Sequence, residues 1–266
     1  MTAIALTIAG SDSGGGAGIQ ADIKTFSALG VYGASVITAI TAQNTKGVTA
    51  VEDISTPMIA AQMEAVFSDL KVDAVKIGMV SRTETIAAIA DGLRRFGQKP
   101  VLDPVMVATS GDRLLREEAV EALICELVPL ARIVTPNLPE AALLTGLPIA
   151  TDRAAMLRQA EAILRAGAGA VLVKGGHGRT VDSTDLFFDG DDVLELSAAR
   201  LETENDHGTG CTLAAAITAH LAQRYALKEA VERAKHYLHA ALSVGRNLQV
   251  GQGRGPVHHF HRWWPA

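Results

Sequence analysis

The chain of 266 residues carries 24 Lys and Arg against 29 Asp and Glu, a formal net charge of −5, with 48% hydrophobic and 20% charged residues. That length is ample for one domain with a buried core, the composition argues against a largely disordered chain, and the charge balance gives no basis for a nucleic-acid partner. The two cysteines, Cys125 and Cys211, form neither a CxxC pair nor a metal-ligand cluster, which predicts a reducing compartment without a disulfide framework or zinc site. Only 4% of residues are aromatic, so the core is expected to be aliphatic, as in a sheet covered by helices on both faces.

In chain order, short apolar runs alternate with segments of helical period, the pattern that builds parallel sheets through helical crossovers. Strands are expected from Ala3 to Ala9, Ser35 to Ile40, Ala74 to Ile77, Pro100 to Leu102, Arg132 to Val134 and Ala170 to Val173. The opening apolar stretch has no basic flank, and no run is long enough to span a bilayer, so the reading is a cytoplasmic protein without membrane contact. A helix is predicted from Pro57 to Leu70, capped by Ser55 or Thr56, with Ile59, Met63, Val66, Phe67 and Leu70 on one face. Another follows Thr151 and Asp152, burying Met156, Leu157, Ala160, Ile163 and Leu164. A hairpin is read from Ser183 to Phe188 and Val193 to Leu196, turned by Asp189 to Asp192. Two helices close the chain, Thr212 to Gln223 and Leu227 to Leu242. There is no repeat or linker, and a single domain over residues 1–266 is predicted.

The strand ends are more informative than the strands. They read Gly10-Ser11-Asp12, Gln43-Asn44, Gly78-Met79, Asp103-Pro104, Pro136-Asn137 and Lys174-Gly175-Gly176, and in a parallel sheet they line the edge where open α/β proteins bind ligands. The glycine-rich turn from Ala9 to Gly18 opens a helix. Its Gly16, Gly18 and Ala21 match a degenerate dinucleotide fingerprint, yet the next strand ends in Thr41-Ala42-Gln43-Asn44 with no acid for a ribose. No Gly-Lys pair occurs in the chain, which excludes a Walker A loop. A second glycine cluster, His207-Gly208-Thr209-Gly210-Cys211-Thr212, precedes a strong helix former, so its amides and the helix dipole suit a transferring phosphoryl group. The same field would favour a Cys211 thiolate able to take a proton from an alcohol; the alternative is a small buried packing cysteine. Asp103, Asn137 and Glu140 are oxygen ligands suited to hydrated magnesium beside phosphates, although Glu140 would also complement a helix dipole and Asp103 would also serve a turn.

Taken together, Ala9 to Ser13, Gly18 to Asp22, Thr41 to Asn44, Lys76 to Met79, Asp103 to Met106, Thr135 to Glu140, Lys174 to His177 and His207 to Cys211 resemble the bacterial hydroxymethylpyrimidine and phosphomethylpyrimidine kinases of thiamin synthesis, in the ribokinase-like superfamily. The resemblance implies a mostly parallel sheet with helices on both faces, Mg2+ and ATP as cofactors, and two successive phosphorylations of 4-amino-5-hydroxymethyl-2-methylpyrimidine. It implies that Gln43 pairs with the aminopyrimidine edge, that Met79 and Val105 contact the ring, and that Gly10 and Asp22 complete the substrate site. Gly208, Thr209, Gly210 and Cys211 would form the anion hole, with Cys211 where related sugar kinases carry a catalytic aspartate. Lys174, Asp103 and Asn137 would bind nucleotide with Glu140, and Glu140 and Asp103 would hold the metal, Asp103 through water. A homodimer is the expected assembly. The stretch Glu204-Asn205-Asp206 departs from the family's usual Asn-Thr, and an inward carboxylate at Asp206 would weaken nucleotide binding.

Pyridoxal or pyridoxine kinase activity is the alternative within the same fold. A nucleotide-dependent oxidoreductase would carry a nicotinamide or flavin spectrum, and a non-catalytic regulator would bind the pyrimidine without consuming ATP. His258, His259 and His261 with Trp263 and Trp264 are read as a docked tail rather than a metal or partner site, and His236 and His239 as surface or packing residues.

Overall fold

A computed structural model describes residues 2–106, 117–176 and 182–264. These form a nine-stranded sheet in the order β3-β2-β1-β4-β5-β6-β7-β8-β9. The strands are β1 Ile4–Asp12, β2 Tyr32–Asn44, β3 Gly47–Asp53, β4 Ala74–Ile77, β5 Val101–Leu102, β6 Ile133–Val134, β7 Val171–Val173, β8 Asp182–Phe188 and β9 Val193–Ala199. From β2 through β1 to β7 every pairing is parallel, and antiparallel strands flank this centre at both edges.

The two-residue period of the strands divides the core. Leu6, Ile8, Leu102 and Val134 point to one face, while Ala5, Val101 and Ile133 point to the other. Helices α2 Thr56–Phe67, α3 Thr83–Arg95, α4 Glu117–Ala122, α5 Leu138–Thr145 and α6 Arg153–Arg165 cover the first face; α1 Gly18–Ala28, α7 Thr209–Ala222 and α8 Leu227–Gly245 cover the second. Every residue of α7 from Thr212 to Ala222 is buried. Its alanines let the sheet on one side and α1 and α8 on the other approach closely, and its first turn is thereby fixed at the strand ends.

The anticipated strands and hairpin are present with edges shifted by a few residues, which is the usual uncertainty of element ends. Two corrections bear on the site. The expected strand from Ser35 to Ile40 runs on to Asn44 and turns back as β3, so Gln43 sits near the tip of a hairpin rather than in a loop leading to a helix. The helix expected from Thr212 begins at Thr209, after Gly208 in a left-handed conformation. Helices α3 and α4 fill two of the expected crossovers, whose bounds the sequence reading does not specify.

The tail is docked, as expected. The imidazole Nε2 of buried His259 lies 3.1 Å from Thr212 Oγ1, and its carbonyl accepts from Tyr237 at 2.6 Å. Ahead of it, residues 251–257 strap two loops together. Gln252 N and Gly253 N donate to Thr45 Oγ1 in the β2–β3 turn, at 3.3 and 3.1 Å. Gly255 N donates to Glu204 O at 3.1 Å, and His207 N to Gly255 O at 3.0 Å. His239 Nε2 lies 3.2 Å from Ala199 O at the surface.

Candidate active site

A cavity of about 800 Å³ opens along the carboxyl edge of the parallel strands. It draws Gly10 and Asp12 from β1, Gln43 from β2, Met79 from beyond β4, Asp103 and Val105 from beyond β5, Asn137 and Glu140 from the start of α5, Lys174 from beyond β7, and residues 208–211 from the first turn of α7. The site residues read from the sequence therefore converge, with one exception. His177 lies outside the described residues.

The exception is Asp22. Thr7 Oγ1 donates to its Oδ2 at 2.6 Å, and Lys76 Nζ reaches Oδ1 and Oδ2 at 3.0 and 2.8 Å, all three side chains being buried. Asp22 lies beneath the cavity wall rather than on it, so the expected direct contact with substrate is corrected. Its carboxylate holds a cation in place: burial opposes the Lys76 charge, but Asp22 above all, with Cys211 and Asp103, raises the ammonium beyond its ordinary range.

At the start of α7, Thr209 N donates to Asp206 O at 3.2 Å, whereas the amides of Gly210 and Cys211 belong to the first turn, where no intrahelical acceptor exists. Gly208 makes the entry possible. Its φ is +80°, and a Cβ there would come within 1.9 Å of Gly16 O. The glycine loop after β1 and the glycine loop before α7 thus touch backbone to backbone. Of the two readings open for Cys211, the surroundings do not favour a low-pKa thiolate. Burial pushes the thiol up to about 11, Asp22 and Asp103 add to this, and the opposing pull of Lys76 and of the Gly18 amide is weaker. The helix field alone does not ionise this half-buried thiol at the cavity wall, with Asp22 and Asp103 nearby.

Across the cavity, Lys174 Nζ lies 2.8 Å from Asp103 Oδ1, to which Thr135 Oγ1 also donates at 3.2 Å. Asn137 and Glu140 form a capping box: Glu140 N donates to Asn137 Oδ1 at 2.9 Å and Asn137 N to Glu140 Oε2 at 2.8 Å. Burial, followed by Asp103, pushes the Glu140 carboxyl up to about 7 against the pull of Lys174 and two backbone amides. Among the described residues no three His, Cys, Asp or Glu side chains form a closed metal cage. Hydrated magnesium does not require one, since one or two carboxylates plus phosphates and water suffice, and Asp103 and Glu140 fit that requirement.

The raised pKa makes Glu140 testable. Between the unfolded value near 4.5 and about 7, the unfolded chain releases a proton that the folded chain keeps, so stability falls as pH rises through this window. Glu140→Gln should therefore be more stable than wild type at pH 8, by at most about 3 kcal/mol, and lose that advantage below pH 5. It should also need more magnesium for turnover. Superimposable melting curves and magnesium titrations would reduce Glu140 to a helix-start residue.

The inward Asp206 does not present a bare carboxylate. Arg254 Nε donates to Asp206 Oδ1 at 2.8 Å and Nη2 to Oδ2, so strap and loop neutralise each other at the cavity rim. The sequence places Asp12 at a ligand-lining strand end and His207 in the second glycine cluster but assigns neither a role, and nothing local marks Arg254.

Residues 12–258 match the family described as phosphomethylpyrimidine kinase. The chain is 74% identical over 264 residues to a hydroxymethylpyrimidine/phosphomethylpyrimidine kinase of Rhizobium meliloti (strain 1021), covering 99% of each. Among solved structures, an ADP complex of Bacillus subtilis pyridoxal kinase superposes with a TM-score of 0.91 at 37% identity, covering 98% of this chain and 99% of that one. A phosphomethylpyrimidine kinase from Clostridium difficile 630 superposes with a TM-score of 0.80 at 49% identity, covering 90% of this chain and 98% of that one.

Proposed function

We infer that this chain, which belongs to the phosphomethylpyrimidine kinase family, phosphorylates 4-amino-5-hydroxymethyl-2-methylpyrimidine and then its monophosphate in thiamin biosynthesis, with ATP as donor. The observation that carries the chemistry is the single cavity shared by the α7 N-terminus, Gln43 and the Asp103–Lys174–Glu140 cluster. ATP as donor is supported by the ADP complex of the related pyridoxal kinase. The family match and the 74% identical relative favour the pyrimidine over pyridoxal.

In this reading Gln43 meets the aminopyrimidine edge, and Gly10, Met79 and Val105 bound the ring. The substrate hydroxyl oxygen forms a bond to the γ-phosphorus, the bond to the β,γ-bridging oxygen breaks, and ADP departs. The hydroxyl proton passes to Cys211 in its thiolate form, the minor form at neutral pH. Gly210 and Cys211 amides meet the charge that builds on the transferring group, aided by the helix dipole. Lys174, steadied by Asp103, stands on the nucleotide side with Asn137 and Glu140. Magnesium, when bound with the nucleotide through Glu140 and water-linked Asp103, supplies charge neutralisation.

A cytoplasmic homodimer is the proposed assembly. Ile40, Val51 and Met58, on or beside the β2–β3 edge, are exposed apolar surface for a second copy, and no described helix is long and apolar enough to cross a membrane.

Incubation with Mg-ATP and each alcohol, followed by mass spectrometry, tests the function. The pyrimidine monophosphate should appear first and the diphosphate second. Phosphorylation of pyridoxal alone, or ATP left unconsumed, would overturn the inference. Gln43→Leu should raise the pyrimidine KM by an amount equivalent to about 1–3 kcal/mol, because the ligand's polar edge is then buried without a partner. An unchanged kcat/KM would remove Gln43 from the site.

A further inference from the structure

Asp12 ties the glycine loop after β1 to the loop before α7. Its Oδ1 accepts from Gly14 N at 2.8 Å, and its Oδ2 accepts from Gly16 N at 3.0 Å and Ala17 N at 2.8 Å. His207 Nε2 reaches the same Oδ2 at 2.9 Å. The imidazole lies against the glycine loop, since a Cβ on Gly16 would come within 2.4 Å of His207 Cδ2. A carboxylate only accepts, so His207 Nε2 carries the hydrogen.

That proton decides how Gln43 must sit. Gln43 Nε2 stands 3.4 Å from His207 Nε2, and Gln43 Oε1 stands 3.2 Å from Thr41 Oγ1, whose hydroxyl donates to Ser11 O at 2.8 Å. With the amide so turned, two N–H groups face each other, and one hydroxyl hydrogen is claimed by two acceptors. A half-turn about the last side-chain bond removes the facing N–H groups and the double claim on the hydroxyl hydrogen. Oε1 then takes the longer arm, at 3.4 Å, of a three-centre bond from the His207 Nε2–H, whose shorter arm at 2.9 Å goes to Asp12 Oδ2, and Nε2 donates to the free lone pair of Thr41. Each end of the amide keeps one further position for a ligand, an acceptor on the His207 side and a donor on the Thr41 side.

We propose that Asp12 and His207 are a positioning pair that locks the Gln43 amide in the orientation complementary to an adjacent exocyclic amine and ring nitrogen, and so selects 4-amino over 4-oxo pyrimidines. The proposal deepens the pyrimidine reading and rests on Gln43 as the residue that meets the base edge. A 4-oxo pyrimidine with a protonated neighbouring ring nitrogen presents the opposite pattern, acceptor where the amine donates and donor where the ring nitrogen accepts. The locked amide opposes it at both positions, whereas an amide free to rotate accommodates either. His207 acts through Gln43 and does not itself touch the substrate.

The test is the ratio of kcat/KM for 4-amino-5-hydroxymethyl-2-methylpyrimidine to that for its 4-oxo analogue. Wild type should favour the amine by roughly 100-fold or more. His207→Leu should lower this ratio by roughly tenfold or more, while His207→Gln, which retains an N–H for Asp12, should keep most of it. A purely structural role would lower both kcat/KM values together and leave the ratio in place, and that result overturns the proposal. Nitrogen-15 NMR of the wild-type protein gives a check that needs no variant: His207 should carry its hydrogen on Nε2, and a neutral ring with the hydrogen only on Nδ1 would also overturn the proposal. Gln43→Leu separates the two levels. If it leaves kcat/KM for the amine unchanged, the pyrimidine reading of Gln43 fails; if it collapses the ratio while His207→Leu does not, the positioning pair alone fails.

Discussion

Cys211→Ala should lower kcat of the first phosphorylation by roughly 100- to 10,000-fold, the range associated with a positioned general base. The wild-type rate should also climb with pH. Because burial pushes the thiol up to about 11, the thiolate is about one part in ten thousand at pH 7, and each added pH unit should raise its population, and the first-transfer rate, about tenfold between pH 7 and 9. ATP binding should survive the substitution, since the backbone amides of the first α7 turn remain. The second transfer should suffer less, because a phosphate monoester is already largely ionised at neutral pH and needs little help to lose a proton. Single-turnover rates for both steps with ATP bound decide the matter. Equal small losses with a flat pH profile would make Cys211 a packing residue; equal large losses would keep it in the site without a proton-transfer role.

Gly208→Ala should be comparably damaging to turnover and far milder to the fold. The added methyl meets the Gly16 carbonyl at 1.9 Å, and the residue must also hold a φ of +80°, a left-handed conformation costing an L residue roughly 1–2 kcal/mol. The obstacle is backbone rather than a side chain that can swing away, so one loop must move by about 1 Å, enough to lower kcat by roughly 100-fold when it carries the donors for the transferring group. Most of the chain's buried apolar surface lies in the two layers flanking the sheet, which the methyl does not touch. Thermal melting should therefore show a shift of only a few degrees while steady-state assays show the large loss. A kcat within threefold of wild type would mean that the loop does not set the reaction geometry.

The central strands were legible because burial on both faces writes them as unbroken aliphatic runs, such as Ala74-Val75 and Ile8-Ala9. The β2–β3 hairpin was not, because β3 is largely exposed and its turn at Thr45-Lys46 lacks the glycine dipeptides that announce tight turns. Helix α3 carries a readable pattern, with Ile86, Ile89, Ala90 and Leu93 on one buried face, and fits the alternation of strands and helices. In the site, residue types at strand ends pointed correctly to the cavity wall. Asp22 misled because its proximity in sequence to the glycine loop said nothing of Lys76, 54 residues away, which binds it. The ionisation state of Cys211 was not legible for a related reason: the helix N-terminus is local and visible, while the burial and the two carboxylates that oppose ionisation are assembled by the fold.

The strap over the site has a kinetic meaning. Its bonds to Thr45 join residues 207 and 208 positions apart, and the Asp12–His207 contact spans 195. Closing such large loops is entropically costly and comes late on a folding route. Once formed, the exposed Gly251-Gln252-Gly253-Arg254 stretch buries little apolar surface to hold it shut, which places it at the low end of the range of local opening energies. The sheet can thus be complete while the wall that aligns Gln43 with the anion hole is still open. Catalytic competence should therefore be lost before the fold: activity should fall at a lower denaturant concentration than the unfolding of the sheet, and the amides of residues 251–254 should exchange faster than those of the central strands.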